Sequence, residues 1–289
     1  MIAFTKTAKK TFKHMQKQAR IRKDISQLKE QIGLVPKQMA QIIKEVLNDI
    51  LIDVDRVTID NIEQLRQDML QSSAAVVKRD FGAGAPGAKL SNKEMKNGRL
   101  VEQSVAEICA MTSKDPKWAL LLFKMIRTFH PFICLELGTS VGISCCYQAS
   151  ALKLNGEGRM ITIEGSDEVA KVAQANIHDL ELNNVEIRIG RFDQQLPEIL
   201  EELVEVDFAF IDGHHDEHAT LEYFERIHPY LSTQAIIVFD DINWSEGMKR
   251  AWKQIVDDPR IKYSFDLNAM GVCFLDQNRK TKSHFKVEL

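Results

Sequence analysis

Two short tracts concentrate the residues best suited to chemistry, and each directly follows an apolar run. One reads Phe210-Ile211-Asp212-Gly213-His214-His215-Asp216-Glu217-His218, the other Val238-Phe239-Asp240-Asp241-Ile242-Asn243-Trp244. If the apolar runs are neighbouring strands, Asp212, Asp240 and Asp241 converge at their ends. Uncompensated acids held together repel, which calls for a cation between them. Oxygen donors suit Mg2+ or a similar hard ion. Two other readings stay open: Asp212 caps the helix that follows, or His214 and His218, four apart, bind zinc.

A second constellation lies upstream, in Leu135-Glu136-Leu137-Gly138-Thr139-Ser140-Val141-Gly142-Ile143-Ser144. Gly138 and Gly142 in a strand-to-helix turn allow close approach of the backbone to a ligand, and the helix amides can receive a carboxylate. Ser140 breaks the Gly-x-Gly-x-x-Gly dinucleotide fingerprint, which disfavours a nicotinamide-dependent oxidoreductase. The next apolar run ends at Glu164, 26 residues after Gly138. A carboxylate placed there can accept both hydrogen bonds of a ribose diol. Gly190-Arg191-Phe192-Asp193 ends a third run and could flank an adenine ring.

The elements that must position these groups follow a regular rhythm from residue 131. Strands are expected at 133–137, 160–163, 185–189, 206–211 and 235–239, with helices from Gly142, from Ser166 and near Pro197, Glu217 and Ser245. Two last strands, at about 261–266 and 271–275, have no helix between them. The alternation implies a doubly wound, mostly parallel sheet with helices on both faces. The final pair implies one antiparallel hairpin at an edge. In such sheets ligands bind at the carboxyl ends of the strands.

The first part of the chain has a different texture. Residues 1–30 carry nine Lys/Arg and two Asp/Glu, a charge of +7 in a chain of net −3. Phe4, Ala8, Phe12, Met15, Ala19, Ile25, Leu28 and Ile32 recur at helical spacing, and Gly33 and Pro36 break the pattern. A second stretch runs from Met39 to Val54 and a third from about Asp60 to Met69, so residues 1–78 read as two or three amphipathic helices. A Gly-rich loop at 80–88 and a capping box at Ser91 and Glu94 follow. Asp115 and Pro116 start another helix. This divides the chain into a helical extension, 1–95, and a main domain, 96–289.

Composition bounds the rest. The 289 residues are 44% hydrophobic and 27% charged, ample for a core and unlike a disordered or disulfide-built chain. No apolar run approaches the length of a membrane span. Cys109, Cys134, Cys145, Cys146 and Cys273 sit in apolar surroundings and read as free thiols of a reducing, cytoplasmic setting. The net charge gives no reason to expect DNA. The basic segment 1–30 reads first as a solvated or packed helix face; the alternatives are RNA, an anionic membrane or an acidic partner. The extension could also pair two copies as a homodimer.

Residues from about 100 to 289 resemble the class I S-adenosylmethionine-dependent methyltransferases, nearest to the metal-dependent small-molecule O-methyltransferases. The loop from Glu136 through Gly138, Thr139, Ser140 and Gly142 to Ser144 is similar to the family's cofactor loop. Glu164 is similar to its ribose-binding acid, with Gly190, Arg191 and Phe192 at the adenine. Asp212 and Asp240-Asp241 stand where metal-dependent members keep their ligands. Asp241 replaces the Asn of catechol-type enzymes, and histidines replace their Lys after the first acid.

The resemblance implies a Rossmann-like fold with a seven-stranded sheet and S-adenosylmethionine as cofactor. It implies methyl transfer to a hydroxyl of a small-molecule acceptor, with Mg2+ or a similar divalent ion held by Asp212, Asp240 and Asp241. Asp212 and His215 are then catalytic, His215 as general base because neutral imidazole works near pH 7. The alternatives are an RNA- or protein-modifying enzyme docked by the basic helix, and a non-enzymatic interaction module on the same fold.

Overall fold

The computed structural model describes residues 6–80 and 98–289; of residues 6–14 and residue 80 only the backbone is described. The Gly-rich loop, the capping box at Ser91 and Glu94, the boundary at 95/96 and the side chains of Phe4, Ala8 and Phe12 lie outside the described residues.

Three helices open the fold: α1 (Lys6–Glu30), α2 (Leu34–Leu47) and α3 (Asp53–Leu70). Gly33 breaks the first periodic stretch as expected, with φ +113. Pro36 does not, because it falls in the first turn of α2, where its missing N–H is not needed. The second stretch stops at Leu47 rather than Val54, turned by Asn48 and a left-handed Asp49. Helix α3 accordingly starts at Asp53, earlier than the periodicity suggested. Residues 75–78 are not helical: β1 (Ala75–Asp80) pairs antiparallel with β2 (Arg99–Ser104) as a separate ribbon. Its Ala-Val-Val start has the β-branched content of a strand.

Helices α4 (Val105–Thr112) and α5 (Pro116–Phe129) lead into the main sheet. There β3 (Ile133–Leu137), α6 (Ile143–Asn155), β4 (Arg159–Glu164), α7 (Asp167–Asp179), β5 (Val185–Ile189), α8 (Phe192–Glu202), β6 (Val206–Ile211), α9 (Glu217–Ile227), β7 (Leu231–Phe239) and α10 (Glu246–Asp257) alternate, and β8 (Ile261–Asp266), β9 (Gly271–Leu275) and β10 (Ser283–Lys286) close the chain. The strand order is β10-β8-β9-β7-β6-β3-β4-β5. Strand β9 runs antiparallel to both neighbours. The doubly wound sheet and its antiparallel pair are those the rhythm implied. The structure adds an eighth strand, β10, parallel to β8, so the pair lies one strand in from the edge.

Period-two alternation sends the strands' side chains to two separate cores. Cys134, Met160, Phe208, Phe210, Ile236 and Val238 face one side, while Leu135, Ile161, Ala209, Ile237 and Phe239 face the other, against α8, α9 and α10. The first core also takes in Ile21, Ile25 and Leu28 of α1 and Met39, Ile42 and Ile43 of α2. The N-terminal helices therefore thicken one helical layer. Met15 and Ile32, expected on the apolar face of the first helix, are exposed. Lys17 donates to the Leu289 carbonyl at 3.3 Å and Arg20 pairs with Glu288 at 3.6 Å, so part of the basic face is spent on the chain's own C-terminus. Among the described residues no helix is long and apolar enough to cross a membrane.

Candidate active site

The strand order reverses between β3 and β6, and the crevice of such a sheet opens at that point. Backbone bonds continue the ladder one residue past the strands there. Gly138 N–H donates to Ile163, Asp212 N–H to Leu137 and Asp240 N–H to Ile211, at 3.1, 3.0 and 3.0 Å. This lines up Gly138, Asp212 and Asp240 side by side. Gly138 has φ +108, and a Cβ on it would lie 2.1 Å from the Asp212 carbonyl oxygen. The glycine's first task is thus to let two strand ends meet. Gly142, φ +89, likewise lets α6 approach Ala173 of α7.

Asp212 is not a helix cap, because Asp216 performs that task, accepting from the His218 and Ala219 amides. The Asp212 carboxylate instead meets Asp240, His215 and a residue the sequence reading missed, Lys114. Lys114 lies just before Asp115, the N-cap of α5. Its Nζ is 3.0 Å from Asp212 Oδ2 and also pairs with Asp240 Oδ2. His215 Nε2 lies 3.8 Å from Asp212 Oδ1, and its Nδ1 lies 3.7 Å from Asp241 Oδ2.

Burial sets the charges in this group. It works to lower the Lys114 pKa, yet the charges of Asp212 and Asp240 outweigh it and hold the ammonium above its ordinary value. Burial raises Asp212, but Lys114 and His215 bring it below the usual carboxylate range. Asp240 is driven well above that range by burial and then by Asp212. The two carboxylates therefore share the site unequally, Asp212 as the standing anion.

The expected trio of metal ligands is partly assembled. Ligand atoms of Asp212, His215 and Asp240 lie within 4.8 Å of one another, with His215 where Asp241 was expected. The cation among them is an ammonium. A Mg2+ ion sits about 2.1 Å from its oxygens, so one bound to Asp212 Oδ2 would lie within about 5 Å of Lys114 Nζ. Their repulsion there would be at least ~6 kcal/mol at an effective dielectric of 20. With Lys114 in place, the residues do not fit a divalent ion. His214 and His218 do not form a zinc pair. His214 Nδ1 bonds the Tyr223 hydroxyl at 2.6 Å, and the His218 side chain is 89% exposed.

The nucleoside side is built from β4 and the β3 turn. Glu164 accepts from the Ser140 amide at 2.8 Å on one oxygen and from the Ser166 amide at 2.9 Å on the other. Burial raises its pKa, and these backbone donors offset part of the rise. The Gly165 amide and the charge of Lys78 also act on it. Ser166 begins α7 but does not cap it with its side chain; its Oγ accepts from Arg79 N–H, which docks the β1–β2 ribbon against this end of the sheet. Thr139 Oγ1 and Thr162 Oγ1 are 2.6 Å apart, and Ser140 Oγ contacts Thr112 Oγ1 at the end of α4.

Glu136 turns into the first core and is fully buried. Gln148 and Thr162 donate to its two oxygens at 2.7 Å each, and Ser144 also bonds it. Burial pushes its carboxyl up to about 7. Beyond β5, Gly190 has φ +146 and packs on Gln195. Arg191 forks onto Asp193, and Phe192 stands edge-on to His214 and Tyr223, at 5.4 and 5.7 Å. Ser140, His214, His215 and Asp241 all have positive φ. They are half of the eight non-glycine cases among the described residues, which places backbone strain at the strand ends.

A reversed strand order, an acid after β4 and paired acids after β6 and β7 place the candidate site at the carboxyl ends of the strands. The family described as "Methyltransferase domain" matches residues 135–242, the span from β3 to just past Asp241. Over that span the chain is similar to a methyltransferase domain. An O-methyltransferase from Bacillus cereus, solved in complex with S-adenosylhomocysteine, has 25% identity and a TM-score of 0.50 over 58% of this chain and 84% of that one. A methyltransferase from Geobacter sulfurreducens has 17% identity and a TM-score of 0.50 over 60% and 85% of the two chains. The S-adenosylhomocysteine-bound methyltransferase from Podospora anserina has 16% identity and a TM-score of 0.51 over 58% and 82%. These last two show the fold. No curated protein matches the sequence.

Proposed function

We propose that the protein transfers a methyl group from S-adenosylmethionine to a hydroxyl oxygen of a small-molecule acceptor. The observation that carries the reading is the placement of Glu164 at the end of β4 and of Asp212 and His215 just past β6, on either side of β3 at the switch point. The likeness to the Bacillus cereus O-methyltransferase supports oxygen as the acceptor atom. S-adenosylmethionine, when bound, supplies a methyl group on a positively charged sulfur. The donor set suits that cofactor: Glu164 for the ribose diol and the amides of the Gly138–Gly142 turn for its carboxylate.

The chain's own contribution is positioning and proton handling. Holding the hydroxyl in line with the methyl supplies much of the rate. His215, between Asp212 and Asp241, is placed to take the hydroxyl proton as the new bond forms. The Trp244 ring, half exposed, lies 6.1 Å from the His215 ring and offers a flat face to an acceptor.

The test is a methyl-transfer assay with radiolabelled cofactor against hydroxylated small molecules, run beside Asp212→Ala. We expect transfer to a hydroxylated acceptor by the wild type, and a loss of 100-fold or more, on the order seen for catalytic groups, in a variant with an unchanged circular dichroism spectrum. Full turnover by Asp212→Ala would overturn the reading.

A further inference from the structure

Lys114 supplies a cation from within the chain at the place where acids of this kind usually gather a metal ion. Its side chain is 14% exposed, as is that of Asp212, while that of Asp240 is 5% exposed. The position is fixed from both sides. Asp115 caps α5 by accepting from the Lys117 amide at 2.9 Å, which pins the backbone one residue away. The Phe210 ring lies 5.8 Å beneath the ammonium. A lysine ammonium has three donors. Asp212 and Asp240 take two, which leaves one for an oxygen in the crevice.

We propose that Lys114 replaces the divalent cation in this protein, neutralising Asp212 and Asp240 and presenting its remaining N–H to the acceptor oxygen. The inference rests on the methyl-transfer reading for the identity of that oxygen, but not for the absence of a metal. As the hydroxyl proton passes to His215, the O–CH3 bond forms and the S–CH3 bond breaks. The ammonium then stabilises the negative charge that develops on oxygen, the task a metal would otherwise perform. Lys114 keeps its proton throughout. The site differs from a metal site in one testable way: removing the lysine should create a vacancy for a divalent ion.

Mn2+ binding followed by electron paramagnetic resonance reads this directly, without turnover. The wild type and Lys114→Arg are expected to leave the free-Mn2+ signal intact. Lys114→Met is expected to bind a single ion, and adding Asp240→Asn to it should abolish that binding. In parallel, wild-type methyl transfer should be the same with chelator as with added Mg2+. Stoichiometric Mn2+ binding by the wild type, lost in Asp212→Asn, would overturn the proposal. So would failure of a folded Lys114→Met to bind Mn2+. If that variant does not fold, the wild-type binding and chelator arms still decide. Calorimetric binding of S-adenosylmethionine to the same samples keeps the two readings apart: cofactor binding with Mn2+ uptake by the wild type would sink the lysine role alone, whereas absent cofactor binding would sink the methyl-transfer reading.

Discussion

Two buried lysines, ten residues apart on either side of the start of α5, each sit between two carboxylates, yet they do different work. Lys124 in the middle of α5 reaches Glu45 of α2 at 3.0 Å and Asp55 of α3 at 3.6 Å. Arg127 adds a second cation on Asp55 at 3.2 Å and also contacts Asn155 at the end of α6. Two positive charges meet two negative ones, all on regular helices. Lys114 faces Asp212 and Asp240 with Asp241 and His215 close by, on turns whose backbone is strained. The balanced cluster ties the N-terminal helices to the sheet's helical layer. The acid-rich one, at the mouth of the crevice, has donors and acceptors to offer a ligand. Charge balance and the regularity of the supporting backbone distinguish a structural ion cluster from a working one.

The largest expected effect tests the structural side. Lys124→Met leaves the buried Asp55 and the half-buried Glu45 with less compensation and should cost about 4 kcal/mol, in the range for breaking a buried pair. Denaturant titration would measure it. Turnover per folded molecule should not change, and a variant that lost turnover but no stability would erase the contrast.

Next comes Glu136, which lies between the two regions. Its pKa is raised to about 7 from an ordinary 4.5, so the native state favours the protonated form. That contribution is full below pH 4.5 and is lost as pH rises through 7, about 3 kcal/mol in all. Glu136→Gln should therefore gain stability relative to wild type over that window; a difference that stays flat with pH would contradict the assignment.

On the catalytic side, His215→Gln should lower kcat about 100-fold at pH 7, some 2.7 kcal/mol of barrier. An unchanged rate from pH 6 to 8 would remove His215 from the mechanism. The smallest effect belongs to His218→Ala. Its exposed ring should matter by no more than about 0.5 kcal/mol in stability, and a measurable loss of activity would reopen a role for that helix face.

What the sequence made legible depended on how local the cause was. The near-continuous apolar runs Ile133–Leu137 and Val206–Ile211 announced buried strands, because both faces of those runs are packed. Glu164, Asp212 and Asp240 could be placed because each directly follows such a run. Lys114 could not, since its role depends on where the turn before α5 lands relative to strands nearly a hundred residues later. Strand β10 is four residues of mixed polarity with only intermediate or exposed positions, too short to carry a period. Ser166 is of a type that caps helices, yet its hydroxyl accepts from the Arg79 amide of a distant ribbon instead. Asp216, not Asp212, caps α9, a distinction decided by a turn in which His214 and His215 both take positive φ.

The proposed function requires the ends of β3, β4 and β6 to hold S-adenosylmethionine through Glu164. Calorimetric titration of the full chain with S-adenosylmethionine, beside Glu164→Ala and with NAD as control, tests it most directly. Saturable binding by the wild type is expected, weakened about 100-fold in the variant by loss of the two charge-assisted hydrogen bonds to the diol, with no binding of NAD. Equal affinity in wild type and variant, or binding of NAD in place of S-adenosylmethionine, would contradict it.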